Sequence, residues 1–343
     1  MSTFKNIIGM AACLICCVSC ELDRTPLDQF SETDFWTSEA NAQIALTGIY
    51  RGNMGFNSPE YNPTDWWTYG GLIFMEFPTD NAYDRRGTNS NFYKMTNGTL
   101  LANNPYTKSY WTNSYAKITR CNRFLEGISK MTDAAAVKRF TAEARFLRAA
   151  QYFYLSQFFG SVPLVTKVLS KDEANVVERA TKDQIVDFVI NEFKEAAVDL
   201  PRFKDLKTTE SGRVSKQAAL AFLGRTYLAS KKYKEAADTY KEIIDYGDNI
   251  IDPDYQSLFL PSGKSSKENI FSLQYLQDLA GSAIPQHAFP VKNGGWCIIN
   301  VAESLFAAYQ FKDGTNFSYD SPMYNPKNLG QNRDPRLDYT IYY

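Results

Sequence analysis

The chain has 343 residues, of which 44% are hydrophobic and 15% aromatic, and its formal net charge at pH 7 is -1. This apolar content is enough for one large core or two ordinary ones, and it excludes intrinsic disorder as a class. The balance of 37 basic against 38 acidic residues argues against a nucleic-acid binder, which would carry a basic excess. It also argues against attachment to an anionic membrane by charge alone.

The first twenty residues have the pattern of a bacterial export signal. Lys5 precedes an apolar run over 7–18, which is shorter than the roughly 20 residues that span a bilayer. A small residue stands directly before Cys20, as in a lipobox, whose cysteine is acylated after cleavage. We therefore predict a lipoprotein signal peptide over 1–19, lipidation at Cys20 and a short N-terminal tether over 20–37. An ordinary cleaved signal is the alternative.

Two cysteines remain after cleavage besides the lipidated one. Cys121 and Cys297 would be able to pair in an oxidising compartment, but two cysteines do not make a disulfide scaffold. The sequence leaves their pairing open.

Helical patterns dominate the part of the chain that follows. Ser38 is a predicted N-cap, and the residues after it carry one apolar face up to Tyr50. A second helix is predicted over 109–128. A third is predicted over 142–159 and ends at Gly160, because glycine favours the C-terminal cap of a helix.

The third helix carries six aromatic rings and two arginines. Its apolar residues cover nearly the whole circumference, which is typical of a helix buried on most sides. We therefore predict a core helix and not a ligand site, with Arg145 and Arg148 paired to carboxylates at an edge. The rings belong to Phe146, Tyr152, Phe153, Tyr154, Phe158 and Phe159.

The next two segments are also predicted to be helical. Thr181 and Gln184 have capping-box spacing before an apolar stripe that stops at Pro201. The stretch over 213–247 then predicts two helices joined near 230–232, with the residue spacing of a tetratricopeptide repeat (TPR). One such repeat cannot bury its own apolar face, so the earlier helices are expected to stack on it.

The lipobox-like start and four motifs together resemble the SusD/RagB family of outer-membrane nutrient-binding lipoproteins. The motifs are YAKITRCNRFL (115–125), AEARFLRAAQYFYLSQFFGSVPLV (142–165), GRVSKQAALAFLGRTYLASKKYKEAA (212–237) and NRDPRL (332–337). The resemblance implies a mainly α fold, in which a TPR-like α-α helical scaffold carries long irregular aromatic loop insertions. It also implies a surface-exposed protein, lipid-anchored in the outer membrane, that captures a glycan, or sometimes a peptide, beside a SusC-like TonB-dependent transporter.

The same resemblance divides the chain. We predict a TPR-like helical domain over 38–250, with a loop insertion near 52–108, and a loop-rich ligand-side region over 251–343. In the family the NRDPR motif is followed by considerably more chain, so the resemblance implies that the last region is incomplete at its C-terminus.

The sequence is poor in residues that catalysis and metal binding need. His287 is the only histidine, and nothing around it suggests the nucleophile elbow of a hydrolase. A closed zinc site would need more ligands than this histidine and two cysteines provide. We predict no catalytic residue, no metal site and no cofactor, and a hydrolase built on a pair of carboxylates is the remaining enzymatic alternative.

Sugar binding is better supported by the composition of the loops. Sugar rings present apolar C–H faces that stack on Trp and Tyr, and their hydroxyls need side chains that donate and accept hydrogen bonds. The loops near 52–108 and 250–300 supply both kinds, and loops this long are more often functional than idle. The predicted stacking platforms are Trp66, Trp67, Tyr69 and Trp296. The family motif matched by Asp80 and Asn81 adds these two residues, Tyr83 and Arg85 as polar or stacking contacts.

The leading hypothesis is a non-enzymatic, cell-surface glycan-binding lipoprotein that passes oligosaccharides to a SusC-like transporter. The first alternative is an oligopeptide-capturing member of the same family. The second is a secreted TPR scaffold that binds only a partner protein.

Overall fold

The computed structural model describes residues 35–53, 61–276 and 280–343. The predicted signal peptide, the lipidation site at Cys20 and most of the predicted tether lie outside the described residues. Within them the structure is mainly helical, which confirms the predicted fold class.

The helices and strands are numbered in chain order. The helices are α1 (Glu39–Tyr50), α2 (Tyr69–Phe74), α3 (Asn91–Thr96), α4 (Pro105–Ile128), α5 (Ala134–Phe159), α6 (Lys171–Val176), α7 (Lys182–Asp199), α8 (Lys216–Ala229), α9 (Tyr233–Tyr246), α10 (Ile284–Ala288), α11 (Glu303–Ala308) and α12 (Arg336–Thr340). The strands are β1 (Ala82–Asp84), β2 (Val162–Pro163), β3 (Arg179–Ala180) and β4 (Ile299–Val301).

Local capping chemistry sets the helix ends. The Ser38 side chain accepts a hydrogen bond from the Asn41 amide at 3.2 Å and starts α1, as predicted. The capping box of Thr181 and Gln184 starts α7. Helix α5 begins eight residues before its predicted start, because the Asp133 side chain caps the amides of two alanines that follow it.

Helix α5 lies at the centre of the scaffold. It packs against α1, α4 and α7, while α7 packs against α8 and α8 against α9, so the long helices form a continuous TPR-like stack. Five of its six aromatic residues are buried or partly buried, and Phe146 and Tyr152 are fully buried. The predicted core role of α5 is therefore confirmed, with Phe158, which is 52% exposed, as the exception.

The TPR-like pair α8–α9 approaches closely at one glycine. A Cβ atom on Gly224 would lie 2.7 Å from the Tyr240 ring, so a larger residue there would displace the ring. Ala236 on the facing helix is 2% exposed. The small residues that the repeat spacing singled out therefore lie at the contact between the two helices.

Buried ion pairs hold the helices in register. The Glu192 carboxylate on α7 accepts from Arg148 at 2.6 Å and from Arg145 at 2.7 Å. Arg148 also donates to the Asn122 side chain at 2.8 Å, which ties α4 into the same cluster. The predicted pairing with carboxylates is confirmed, but its location at an edge is wrong for Arg148, which is only 6% exposed. The reason is that α7 covers this face of α5.

The loop regions meet through a short antiparallel sheet. Strand β1 pairs with β4, and Tyr83 lies opposite Asn300 in the register. Because these residues are more than 200 positions apart, the pairing joins two loops that the sequence could only treat separately. Strands β2 and β3 form a second small sheet beside α5.

The two cysteines are free thiols and do not pair. Cys121 is fully buried in the helical core, and burial raises the pKa of its thiol to about 11. Cys297 is half-buried beside β4. None of the helices in the described ranges combines the length and apolar character needed to cross a bilayer.

Substitution of Gly71 in α2 is expected to strain the turn that precedes this helix and contains Trp66 and Trp67. A Cβ atom there would lie 1.7 Å from the Asp65 carbonyl oxygen, which is backbone and cannot rotate away. We expect Gly71→Ala to lower the free energy of unfolding by about 1–3 kcal/mol, measured by chemical denaturation. The matched control is Gly48→Ala in α1, where no atom lies within 4 Å. That change is expected to stabilise the helix by up to about 1 kcal/mol, and equal losses for the two variants would contradict the prediction.

Candidate functional site

The structure brings the Asp80 loop and the Trp296 loop together on one surface. Arg85, directly after β1, donates from its backbone amide to the Ile298 carbonyl at 3.0 Å. Its guanidinium donates to the Cys297 and Trp296 carbonyls, each at 2.8 Å. Arg85 therefore clamps the second loop to the first, and its role as a ligand contact stays a prediction.

Two aromatic side chains project from this junction. The β1 strand turns Ala82 and Asp84 inward and Tyr83 outward, and Tyr83 is 46% exposed. Trp296 is likewise 46% exposed. We define Tyr83, Arg85 and Trp296 as the junction surface, because each is exposed and each lies on the paired loops.

Asp84 holds β1 in place from the buried face of the strand. Burial alone would raise the pKa of its carboxyl, but hydrogen bonds from Arg86 and Ser90 outweigh this and hold that pKa below its usual range. Arg86 binds the carboxylate in a bidentate manner, with its nearest contact at 2.7 Å. The outward direction of Tyr83 is therefore held by a charged pair on the opposite face.

Trp296 is held by its own loop. Its amide donates to the Gln286 carbonyl at 2.6 Å. Its ring lies 4.9 Å from the ring of His287, at 80°, and His287 is itself buried, with Nδ1 2.9 Å from the Ala283 carbonyl oxygen. Since Cys297 has a positive φ of 48°, the backbone turns sharply after the indole. The chain's only histidine thus supports an aromatic side chain.

Asp80 and Asn81 anchor the edge of the junction. The Asp80 carbonyl accepts from the Ser304 hydroxyl, and the Asn81 carbonyl accepts from the Ala302 amide at 2.9 Å. The Asn81 side chain donates to Glu76 at 2.9 Å. The Asp80 side chain is exposed, so a role in ligand contact stays a prediction for it.

Trp66, Trp67 and Tyr69 are not exposed platforms. They are 3%, 6% and 6% exposed and belong to the core. Trp66 is stacked among Tyr110, Tyr154 and Phe158 at 4.9–5.6 Å. The expectation that they form exposed platforms is wrong, and the physical reason lies in the turn that precedes α2. All three border a cavity of about 460 Å³, so ligand contact stays a prediction for them.

That turn directs both indoles inward. The Asp65 carboxylate accepts from the Trp67 amide at 2.9 Å, and the Thr68 hydroxyl caps α2 by accepting from Gly71. The Trp67 indole then donates to the Gln151 side chain on α5 at 2.8 Å. A buried partner for the indole N–H makes the inward position favourable.

A cleft beside β4 escaped the sequence analysis. It has a volume of about 840 Å³ and is bordered by β4, α11 and the segment that leads through α12. Asn300, opposite Tyr83 in the sheet, lines it. The tyrosine-rich composition after residue 317 is the signal that would have pointed to it.

The chemistry of the junction surface is that of recognition. It offers the exposed rings of Tyr83 and Trp296 and the exposed side chain of Arg85, and the exposed Asp80 lies at its edge. In the described ranges, no three His, Cys, Asp or Glu side chains are grouped so as to hold a metal ion.

Comparisons with known proteins agree with this architecture. Residues 62–228 match the model of the SusD-like family described as "Starch-binding associating with outer membrane". A solved SusD-like carbohydrate-binding protein from Bacteroides fragilis is 52% identical, with a TM-score of 0.87 over 90% of this chain. A laminarin-binding SusD-like protein is 26% identical over 68% of this chain, with a TM-score of 0.60.

The chain spans only part of these relatives. It covers 60% of the Bacteroides fragilis protein and 51% of the laminarin-binding one. SusD-like protein P2 of Formosa agariphila is 24% identical over 82% of this chain and 55% of its own length. Together with the TPR-like stack and the four motifs, these matches show that the chain belongs to the SusD/RagB family.

Proposed function

We propose that the chain captures carbohydrate on the junction surface without acting on it chemically. The observation that carries the proposal is that the two loops meet through β1 and β4 and leave Tyr83 and Trp296 each 46% exposed. Exposed, rigidly held aromatic rings stack on the C–H faces of sugars, and preorganisation lowers the entropic cost of binding. Similarity to a SusD-like carbohydrate-binding protein, to a laminarin-binding SusD-like protein and to a family described as starch-binding supports it.

The proposal extends to cellular context. The lipobox-like sequence before Cys20 supports a lipid anchor in the outer membrane, exposed at the surface. The family resemblance supports transfer of the captured oligosaccharide to a SusC-like TonB-dependent transporter. Both parts are inferred from the sequence pattern and do not depend on the geometry of the junction surface.

Affinity electrophoresis tests the proposal directly. The mature chain is run through native gels that contain laminarin, starch or xylan, and new reducing ends are assayed in the same mixtures. We expect at least one polysaccharide to retard the protein with no new reducing ends. Tyr83→Ala and Trp296→Ala are each expected to weaken the apparent affinity about fivefold or more, since truncating a ring that contacts the ligand costs about 1 kcal/mol or more.

The matched control is Tyr233→Ala on α9, which removes a 63% exposed tyrosine far along the helical stack. It is expected to leave retardation unchanged. New reducing ends would replace the proposal with a hydrolase, and retardation that survives both junction substitutions would reject this surface. A folded chain retarded by none of the polysaccharides but bound to peptides would favour oligopeptide capture.

A further inference from the structure

Arg85 brings an unneutralised positive charge to the junction surface. Its side chain is exposed, and within the described ranges its guanidinium is bonded to the carbonyls of Cys297 and Trp296 and to no carboxylate. The neighbouring Arg86 differs, because the Asp84 carboxylate binds it in a bidentate manner. Arginine stays protonated in proteins, and carbonyls carry no net charge, so the charge of Arg85 is available to a ligand.

The clamp uses one edge of the Arg85 guanidinium and leaves another. Nε donates to the Cys297 carbonyl and Nη2 donates to the Trp296 carbonyl, each at 2.8 Å. A guanidinium has five N–H donors. These two bonds therefore leave both donors on Nη1 and one on Nη2. The remaining donors of the two terminal nitrogens form a planar fork, which matches the two oxygens of a carboxylate.

Arg85 projects from the same face of the strand as Tyr83. The ladder between β1 and β4 continues through the Arg85 amide, which donates to the Ile298 carbonyl at 3.0 Å. Side chains two positions apart on a strand point to the same face. Tyr83 and Arg85 are therefore both directed outward, whereas Asp84 between them is buried. Because the same guanidinium holds the Trp296 carbonyl, it lies next to both exposed rings.

The two carbonyl bonds also hold the guanidinium in place. A long side chain that moves freely in solvent loses rotamer freedom when it binds a ligand. Arg85 has lost much of that freedom already, because it is bonded at two atoms to the opposite loop. A carboxylate that binds the remaining fork therefore gains charge-assisted hydrogen bonds at a low cost in entropy.

The other unpaired charges on the two loops are less suited to this role. Lys292 is exposed, but lysine is a flexible point charge that lacks a planar fork. Asp80 and Glu76 are exposed carboxylates on the first loop, and they repel an anionic ligand at the edge of the surface. Attraction and repulsion together direct a ligand's carboxylate towards Arg85.

We propose that Arg85 determines specificity for glycans that contain a uronic acid, by binding the carboxylate of a unit next to one stacked on Tyr83 or Trp296. The inference rests on the proposed function, because the two rings supply the stacking that brings the carboxylate to the fork. It further specifies the class of ligand, since an acidic oligosaccharide binds more tightly than a neutral one with the same backbone.

Calorimetric titration with matched oligosaccharides tests the inference. The probes are oligogalacturonates and xylo-oligosaccharides with a glucuronic acid branch. Each is compared with its carboxyl-reduced form, in which a hydroxymethyl group replaces the carboxylate. The wild-type chain is expected to bind at least one acidic probe about fivefold or more tighter than its reduced form. This preference should shrink when salt is raised from about 0.05 M to about 0.5 M, because salt screens exposed charges.

Substitutions at Arg85 separate recognition from clamping. Arg85→Gln removes the charge and is expected to reduce the preference to about twofold or less, and Arg85→Lys, which keeps the charge without the fork, should give an intermediate value. The preference is a ratio of two affinities, so a looser clamp that weakens both probes equally does not change it. Lys292→Gln is the matched control and should retain the preference. Thermal unfolding establishes that each variant is folded.

The outcomes separate this inference from the proposed function. Equal binding of acidic and reduced probes by the wild-type chain would overturn the inference, and the proposed function stands if that binding is weakened by Trp296→Ala. A preference that survives Arg85→Gln, or that is lost in Lys292→Gln, would overturn the role of Arg85. If Arg85→Gln binds no probe, Arg85→Lys decides, because a preference that it retains in full would overturn the role of the fork. No binding of any probe by the wild-type chain would overturn both proposals for these glycans.

Discussion

Replacing Glu192 with alanine is expected to lower the free energy of unfolding by about 3–5 kcal/mol, because it leaves a buried cation without its partner. Glu192 is 3% and Arg148 6% exposed, and they are joined at 2.6 Å. Glu192 is also held by Arg145 at 2.7 Å. The loss would be measured by urea denaturation monitored by circular dichroism.

The chain contains a matched control for this substitution. Glu195, one turn along α7, pairs with the same Arg145 but has a side chain that is 59% exposed. Glu195→Ala is expected to cost less than about 1 kcal/mol, since exposed ion pairs contribute little. Similar losses for Glu192→Ala and Glu195→Ala would show that the pair, and not its burial, decides the effect.

A second variant tests whether the stability lost in Glu192→Ala comes from the lost attraction or from the charge that is left unpaired in the core. Combining Arg148→Met with Glu192→Leu removes both charges and is expected to recover much of the stability lost in Glu192→Ala. A double variant that is as unstable as Glu192→Ala would contradict the explanation by desolvation.

The stability of the fold is expected to rise with pH above neutrality through Lys117. This residue is fully buried, and burial lowers the pKa of its ammonium from 10.5 to about 7. Between these two values the unfolded chain binds a proton that the folded chain has released. Stability contributed by this group therefore increases as pH rises through that window, by about 1.4 kcal/mol per pH unit.

The contacts of Lys117 explain how a lysine is accommodated in the core. Its amino group donates to the Ile49 and Arg51 carbonyls at the C-terminal end of α1, where a donor is favourable. It lies 4.3 Å from the centre of the Trp67 ring. An uncharged amine keeps two N–H donors for the same carbonyls, so the structure is maintained after the proton is lost.

Comparison of variants isolates this contribution from that of the other titrating groups of the chain. Unfolding free energies of the wild-type chain and of Lys117→Met would be measured at intervals from pH 6.5 to 9.5. The difference between them is expected to grow with pH in favour of the wild type. Lys130→Met, at an exposed lysine, serves as the control and should show no such growth. A constant difference for Lys117→Met would show that Lys117 stays protonated in the fold.

Helices were predicted well because their signals are local. The caps at Ser38 and Thr181 depend on residues within one turn, and the repeat spacing around Gly224 follows from the geometry of two adjacent helices. The start of α5 was placed too late, because its cap at Asp133 lies outside the aromatic pattern that identified the helix.

The site residues were predicted less well than the helices. The reason is that loop composition does not determine whether a side chain points into the core or into solvent. The sequence pointed to both Tyr83 and Trp66 as aromatic residues in a long loop. A hydrogen-bonded turn around Asp65 and Thr68 sends the indole of Trp66 into the core, whereas strand pairing turns Tyr83 outward. Neither arrangement leaves a periodic signal in the loop.

The sequence by itself determined the family, the mainly helical class, the TPR-like pair and the core role of α5, because apolar periodicity, capping residues and motif spacing act over short stretches of chain. Tertiary structure alone decided that the loops around Tyr83 and Trp296 share one surface, that Cys121 and Cys297 stay apart, and that a tyrosine-lined cleft lies beside β4. These features depend on contacts between residues more than 200 positions apart, which are set by the packing of the helices beneath them.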